Sequence, residues 1–436
     1  MKRFHLMTFI LLFGLLTGCG RQAQPASCDV QESTEPETST QTAAETIPET
    51  TQPTETAISE TKPPVKHEQP EGAVLTVRDS VEVYEKLTIS EVLTDTNVEL
   101  QNGDTILDTA SLGVLEAVVC YTYEGEEYEH PIRYTVADTT APLMLNGGWG
   151  SEHKLGEPFD LTEHIGFADN FDKMPRLTYT GLVDTNVCGS YPLTATVTDS
   201  SGNATSWDLS IKVVEQVKKY QSSSPALTFD TLMERYAGEN VRFGIDVSKW
   251  QQEIDFEAVK NAGCDFVLMR MGYYYDDIAM DQYYRQNMER AKAAGLDVGV
   301  YIYTTANSED EARMNARWIV ENLDGQELDF PVVFDWESFS HFQQYGMSIH
   351  DLNMNFLAFA DELEKNGYSA MLYSSRNFLW NFWYEQKDYP VWLAHYTEQT
   401  DYDGEYAIWQ MSSRGRIHGI TGDVDLNILY EDRAKW

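Results

Sequence analysis

Pro331-Val332-Val333-Phe334-Asp335-Trp336-Glu337 is an apolar run ending in two carboxylates one residue apart. Its β-branched and aromatic character predicts a strand. Successive side chains alternate along a strand, so Asp335 and Glu337 project from the same face at its carboxyl end.

Runs of the same kind lie on both sides. Phe243–Val247, Asp265–Arg270, Asp297–Tyr303 and Ser369–Ser374 are further candidate strands, and four helical stretches fit between the five. Ser308 with Glu311 forms a capping box opening the helix that runs to about Leu323. Leu352, Phe356, Phe359 and Leu363 make a helical stripe ending at Gly367. Alternation of apolar runs with helices predicts a parallel sheet. Three more strands, Val391–His395, Tyr406–Gln410 and Val424–Asn427, follow too closely for full helices between them. The expected architecture is therefore an α/β barrel of the (βα)5β3 type: five βα units and a strand-rich end.

Chemistry in such barrels collects at the carboxyl ends of the strands, where Asp246, Asp335, Glu337 and Asp425 fall. Two carboxylates as close as Asp335 and Glu337 raise one another's proton affinity, keeping one as an acid while the other stays charged. Glycoside hydrolysis needs that division: an acid for the leaving oxygen and a negative group for the developing positive charge. Alone, Asp-x-Glu in an acidic chain serves equally as a hydrogen-bonding or metal-binding pair.

The surroundings are more specific. Gly244-Ile-Asp-Val-Ser-Lys-Trp-Gln251, Gly299-Val-Tyr-Ile-Tyr303, Pro331–Glu337, Trp392-Leu-Ala-His-Tyr396, Ile408-Trp-Gln410 and Val424-Asp-Leu-Asn427 occur in this order. Together they resemble glycoside hydrolase family 25, the muramidases, over nearly all of Val241 to Tyr430. That resemblance implies cleavage of the β-1,4 bond between N-acetylmuramic acid and N-acetylglucosamine in peptidoglycan. It implies Glu337 as general acid, Asp335 steadying the reacting N-acetyl group or the positive charge, and Asp246 and Asp425 orienting the site. Aromatic residues near the strand ends, Tyr301 or Tyr303, Trp336, Tyr396 and Trp409, are candidates for stacking on sugar faces, each with a core role as the alternative. His395 and His418 are read as structural. No cofactor is expected, and no Cys/His cluster has zinc-ligand spacing.

Toward the N-terminus, residues 73–137 and 138–215 read as two small all-β modules with period-two alternation. The second, with Asp138-Thr-Thr-Ala-Pro142, Gly189-Ser-Tyr191 and Asp199-Ser-Ser-Gly-Asn203, resembles the immunoglobulin-like sandwiches of bacterial surface proteins. Asp169, Asp172 and Asp199 suit calcium, but the preferred reading is turn carboxylates capping their own backbone. Residues 216–240 read as a linker with a short helix near Asp230–Tyr236, and 241–436 as the muramidase barrel.

Residues 1–18 read as an export signal: Lys2 and Arg3, an apolar run, then Leu16-Thr17-Gly18-Cys19. Those last four residues resemble the bacterial lipobox, implying lipid on Cys19 and an extracytoplasmic, membrane-anchored protein. Residues 19–72, rich in Thr, Glu and Pro, lack the apolar area for a core and read as a tether. Cys28, Cys120, Cys188 and Cys264 fall in four different regions, which argues against a disulfide framework. With 70 acidic and 31 basic residues among 436, the formal net charge of −39 excludes nucleic acid as a natural partner. The rival functions are a wall-binding scaffold that holds glycan without cutting it and a hydrolase of chitin-like chains.

Overall fold

The computed structural model describes residues 65–145, 151–218 and 222–436. The export signal, Cys19 and nearly all of the tether lie outside the described residues.

The eight strands around the candidate site are β1 (Val241–Val247), β2 (Phe266–Tyr274), β3 (Asp297–Thr304), β4 (Val332–Asp335), β5 (Ala370–Ser375), β6 (Val391–Ala394), β7 (Ile408–Arg416) and β8 (Val424–Tyr430). They form a closed β-barrel: β1 to β7 are parallel neighbours in order, and β8 runs antiparallel to both β7 and β1.

This corrects the (βα)5β3 expectation. The described chain is mostly β, with an eight-stranded closed β-barrel and only seven α-helices. Two helices between barrel strands, α1 (Phe256–Asn261) and α5 (Arg376–Asn381), are six residues long, and an antiparallel strand, Ile278–Met280, is inserted after β2. Apolar runs identify strands well, but their spacing does not distinguish a full helix from one turn with a loop. The longer helices are α2 (Tyr284–Ala293), α3 (Glu309–Leu323) and α4 (Ile349–Glu364). Ser308 caps α3 by accepting from the Glu311 amide, and Ser348 with Asp351 forms a capping box on α4. Leu352, Phe356, Phe359 and Leu363 of α4 are fully buried.

Strand alternation sorts the barrel into two cores. Inward-facing Phe266, Leu268, Tyr301, Val333, Met371, Tyr373, Trp392, Ile408 and Leu429 fill the interior. Outward-facing Ile245, Val267, Val300, Val332, Phe334 and Leu393 pack beneath the helices. Gly244 is required by this interior, because a Cβ there would lie 2.4 Å from the Phe266 ring. Just upstream, Ala226–Thr228 pairs in parallel with β7, and the helix Phe229–Tyr236 buries Phe229 and Leu232 in the outer core.

Residues 73–137 and 138–215 each contain a four-stranded sheet, a two-stranded sheet and a separate apolar core. The first core centres on Val119, Tyr121, Ile132 and Val136, the second on Phe167, Leu193, Ala195 and Val197. Tyr84 of the first stacks on His350 of α4, with ring centroids 3.5 Å apart. The Asp169 carbonyl of the second accepts from the Ile349 amide at 2.8 Å.

Candidate active site

β4 places Asp335 in register between Tyr303 of β3 and Tyr373 of β5. Val333, Asp335 and Glu337 share the inward face; Val332, Phe334 and Trp336 share the outward one. Asp335 is buried and Glu337 half-buried. Across the closing ladder Asp246 of β1 pairs with Asp425 of β8. The four predicted acids thus come together at one end of the barrel.

Asp246 is held by two amide side chains: Gln410 Nε2 donates to its Oδ2 at 2.9 Å and Asn427 Nδ2 at 2.8 Å. Gln410 Oε1 accepts from the Tyr373 and Tyr396 hydroxyls at 2.9 and 3.0 Å, and Asn427 Oδ1 accepts from Trp392 Nε1 at 2.8 Å. Each acceptor role fixes the amide orientation, so both nitrogens are committed to Asp246. This shell of Gln410, Asn427, Tyr373 and Trp392 was not assigned a site role from sequence. Its signal was available: Gln410 and Asn427 are polar residues inside apolar strands, and Asn427 shares a strand face with Asp425.

Burial pushes Asp246 up to about 6, against the opposing pull of its hydrogen bonds, and the Glu337 charge adds to the rise. Asp335 is raised well above the carboxylate range by burial, then by the charge and hydrogen bond of Glu337. Glu337 is raised by burial, while its hydrogen bond with Asp335 works the other way. Burial and mutual repulsion thus favour one proton shared between the two carboxyls, and Asp335 Oδ1 has no hydrogen-bond partner among the described residues. Asp425 is also raised well above its ordinary value by burial and by Asp246 and Glu337. The Arg270 charge counters the rise at Asp335. Arg270 is fixed by Asp281, with Nε and Nη2 donating to Oδ2 at 2.9 and 2.6 Å.

The predicted aromatics divide by strand face. Trp336 is fully buried on the outward side, with Phe339, Phe342 and Tyr345 around it and its Nε1 donating to the Ala306 carbonyl. Trp409 is also buried outward, edge-on to Tyr236 and donating to the His395 carbonyl. Neither indole shares the inward face with the acids, so of the two roles open to them from sequence both take the core one: each sits one residue from an inward-facing position and so faces the helices. Tyr301 is buried in the interior against Trp392. Tyr303, one turn of the pleat further along, is half-buried and its ring contacts that of Tyr275. Tyr396 is half-buried beside Gln410. Trp250, just beyond β1, is 65% exposed with the Lys249 ammonium over its ring, and was not singled out from sequence. His395 is held by Thr400, and burial pushes it down to about 4; His418 is exposed.

A cavity of about 520 Å³ lined by Tyr389, Tyr402, Tyr406 and Arg433 opens at the other end of the strands, away from these acids.

Paired acids with raised proton affinity, set at one end of the barrel and framed by aromatic rings, constitute the equipment of a carboxylate-dependent glycoside hydrolase. The chain belongs to glycosyl hydrolases family 25, which it matches over residues 245–420. It is 32% identical over 192 residues to the autolytic lysozyme of Clostridium acetobutylicum and 30% identical over 193 residues to the Escherichia coli protein YegX. Each alignment takes in 43% of this chain, which spans 56% of the length of the clostridial protein and 68% of the E. coli one. Among solved structures, a bacterial lysozyme from Streptomyces coelicolor is 24% identical with a TM-score of 0.38, covering 44% of this chain and 98% of that one.

Proposed function

We propose that the chain is an N-acetylmuramidase, hydrolysing the β-1,4 bond between N-acetylmuramic acid and N-acetylglucosamine in peptidoglycan. The observation that carries this reading is the Asp335–Glu337 pair, proton-sharing and backed by Asp246 and Asp425. The family and the likeness to an autolytic lysozyme support the substrate class.

In this reading Glu337, the more accessible member of the pair, protonates the glycosidic oxygen as its bond to the sugar C1 breaks. Asp335 steadies the N-acetyl group or the positive charge at C1. Water then supplies hydroxide to C1 and its proton restores the carboxyl. Asp246 and Asp425 hold the floor of the site, and Tyr303, Tyr396 and Trp250 offer ring faces to the sugars. The Leu16-Thr17-Gly18-Cys19 sequence supports a lipid anchor, with residues 19–72 as tether and the immunoglobulin-like modules as spacers placing the enzyme at the cell surface.

Digestion of purified peptidoglycan, with products separated by mass and reducing end, tests the activity. Muropeptides ending in reducing N-acetylmuramic acid are expected. Reducing N-acetylglucosamine, binding without release, or a preference for chitin oligomers would each reject it.

A further inference from the structure

Asp138, Asp169 and Asp199, in the second β module, form an acid cluster separate from the four barrel acids. They are 6%, 1% and 6% exposed, and one carboxylate oxygen from each lies within 4.8 Å of the others.

Turn capping explains only part of this cluster. Asp169 Oδ1 accepts from the Phe171 and Asp172 amides at 2.9 and 2.7 Å. Asp199 accepts from the Asn203 amide at 2.8 Å and from Asn203 Nδ2 at 2.9 Å. Asp172, also a turn acid, is occupied by the Met174 and Ser200 amides. Asp169 Oδ2 and both oxygens of Asp138 remain, buried and without a hydrogen-bond partner among the described residues. Ser201 and the Thr140 amide lie near enough to favour charge on Asp138, but neither completes a bond to it. The leading charges on Asp138 and Asp169 are all negative: Asp199 and Glu82 act on the first, Asp138 and Asp199 on the second. Burial and this repulsion push Asp169 up to about 6.

Three buried carboxylates without a counter-charge are stable only if protonated or bound to a cation. We propose that Asp138, Asp169 and Asp199 bind one calcium ion, with water completing its shell. The donors are all hard oxygens, which suits calcium or magnesium rather than zinc. Three oxygens within 4.8 Å of one another fit inside a shell with calcium–oxygen distances of about 2.3–2.6 Å, and an irregular set of turn carboxylates suits calcium's flexible geometry better than the near-ideal octahedron that magnesium demands.

The site lies where three units meet. Ile349 and His350 of the barrel donate to the carbonyls of Asp169 and Asn170. Glu82 of the first module accepts from Thr139, next to Asp138. A bound ion ties these corners together, so it stabilises the arrangement of the modules on the barrel as well as the second module.

Calorimetric titration of the chelator-stripped full chain with calcium chloride, alongside thermal unfolding with and without calcium, tests this. One ion per chain is expected, with a Kd at or below the roughly 10⁻⁴–10⁻³ M of extracellular calcium modules and a Tm raised by several degrees. Asp138→Asn should weaken binding at least tenfold. No heat and no Tm shift in the unaltered chain at about 10 mM calcium would overturn the proposal. So would equal affinity for magnesium, or unchanged binding in both Asp138→Asn and Asp169→Asn. The titration of the unaltered chain decides the matter even if those variants do not fold.

Discussion

Asp246 and Asp425 are direct partners in the antiparallel ladder that closes the barrel. Burial raises both carboxyls; the Asp246 and Glu337 charges add to the rise at Asp425, and the Glu337 charge adds to that at Asp246. The closing seam of the fold is therefore also the floor of the proposed site.

Glu337→Gln removes the proposed proton donor at nearly constant volume. Turbidity loss of purified walls should slow by roughly 10²–10⁴-fold with the Tm little changed. Retention of a tenth of the original rate would remove Glu337 from the donor role.

Asp246 gives a signed pH effect. Its carboxyl is raised from 3.8 to about 6, so its contribution to stability is complete below about pH 4 and is lost as pH rises through 6. Asp246→Asn carries no such charge. The Tm difference, variant minus unaltered protein, should grow between pH 4 and pH 7 while turnover falls by an order of magnitude or more. A difference that stays flat across that range would mean that Asp246 titrates normally.

The aromatic residues should split into two classes. Trp336→Ala opens a cavity in the outer core and should cost roughly 3–5 kcal/mol in urea unfolding. Trp250→Ala should leave stability within about 0.5 kcal/mol and raise KM for soluble glycan several-fold. The reverse pattern would place Trp336 at the sugar.

A chain beginning at Ser222 keeps Phe229 and Leu232 in the outer core; one beginning at Gly238 loses both, together with the strand beside β7. Guanidinium unfolding should show the shorter chain less stable by roughly 3–5 kcal/mol or more. Equal midpoints would mean that residues 226–236 merely rest on the barrel.

The barrel strands and the convergence of the four acids were legible because burial on both faces leaves long apolar runs, and acids at their ends stand out against them. What escaped the sequence depended on facing. Trp336 and Trp409 look like sugar platforms by proximity, yet each alternates with an inward residue and so points to the helices. Gln410 and Asn427 lay inside the recognised motifs, but their role depends on lateral contact with Asp246 across strands, which linear spacing does not encode. The helix expected near Asp230–Tyr236 has Phe229, Leu232, Met233 and Tyr236 at helical spacing, but that spacing does not say that the stripe covers the barrel. Asp138 lies beside a Pro-containing turn, and only the folded module brings it to Asp169 and Asp199.

Asp246 and its ligand Asn427 are 181 residues apart in the chain and belong to the first and last barrel strands. The contact between them is among the most non-local in the barrel, and the entropy of closing so long a loop is spent before that contact gives any return. A chain without β8 lacks Asp425, one of the two amides that hold Asp246, and the strand that joins β7 to β1. Under the proposed mechanism, hydrolysis therefore depends on β8: the strand that closes the barrel is the one that finishes the proposed catalytic floor.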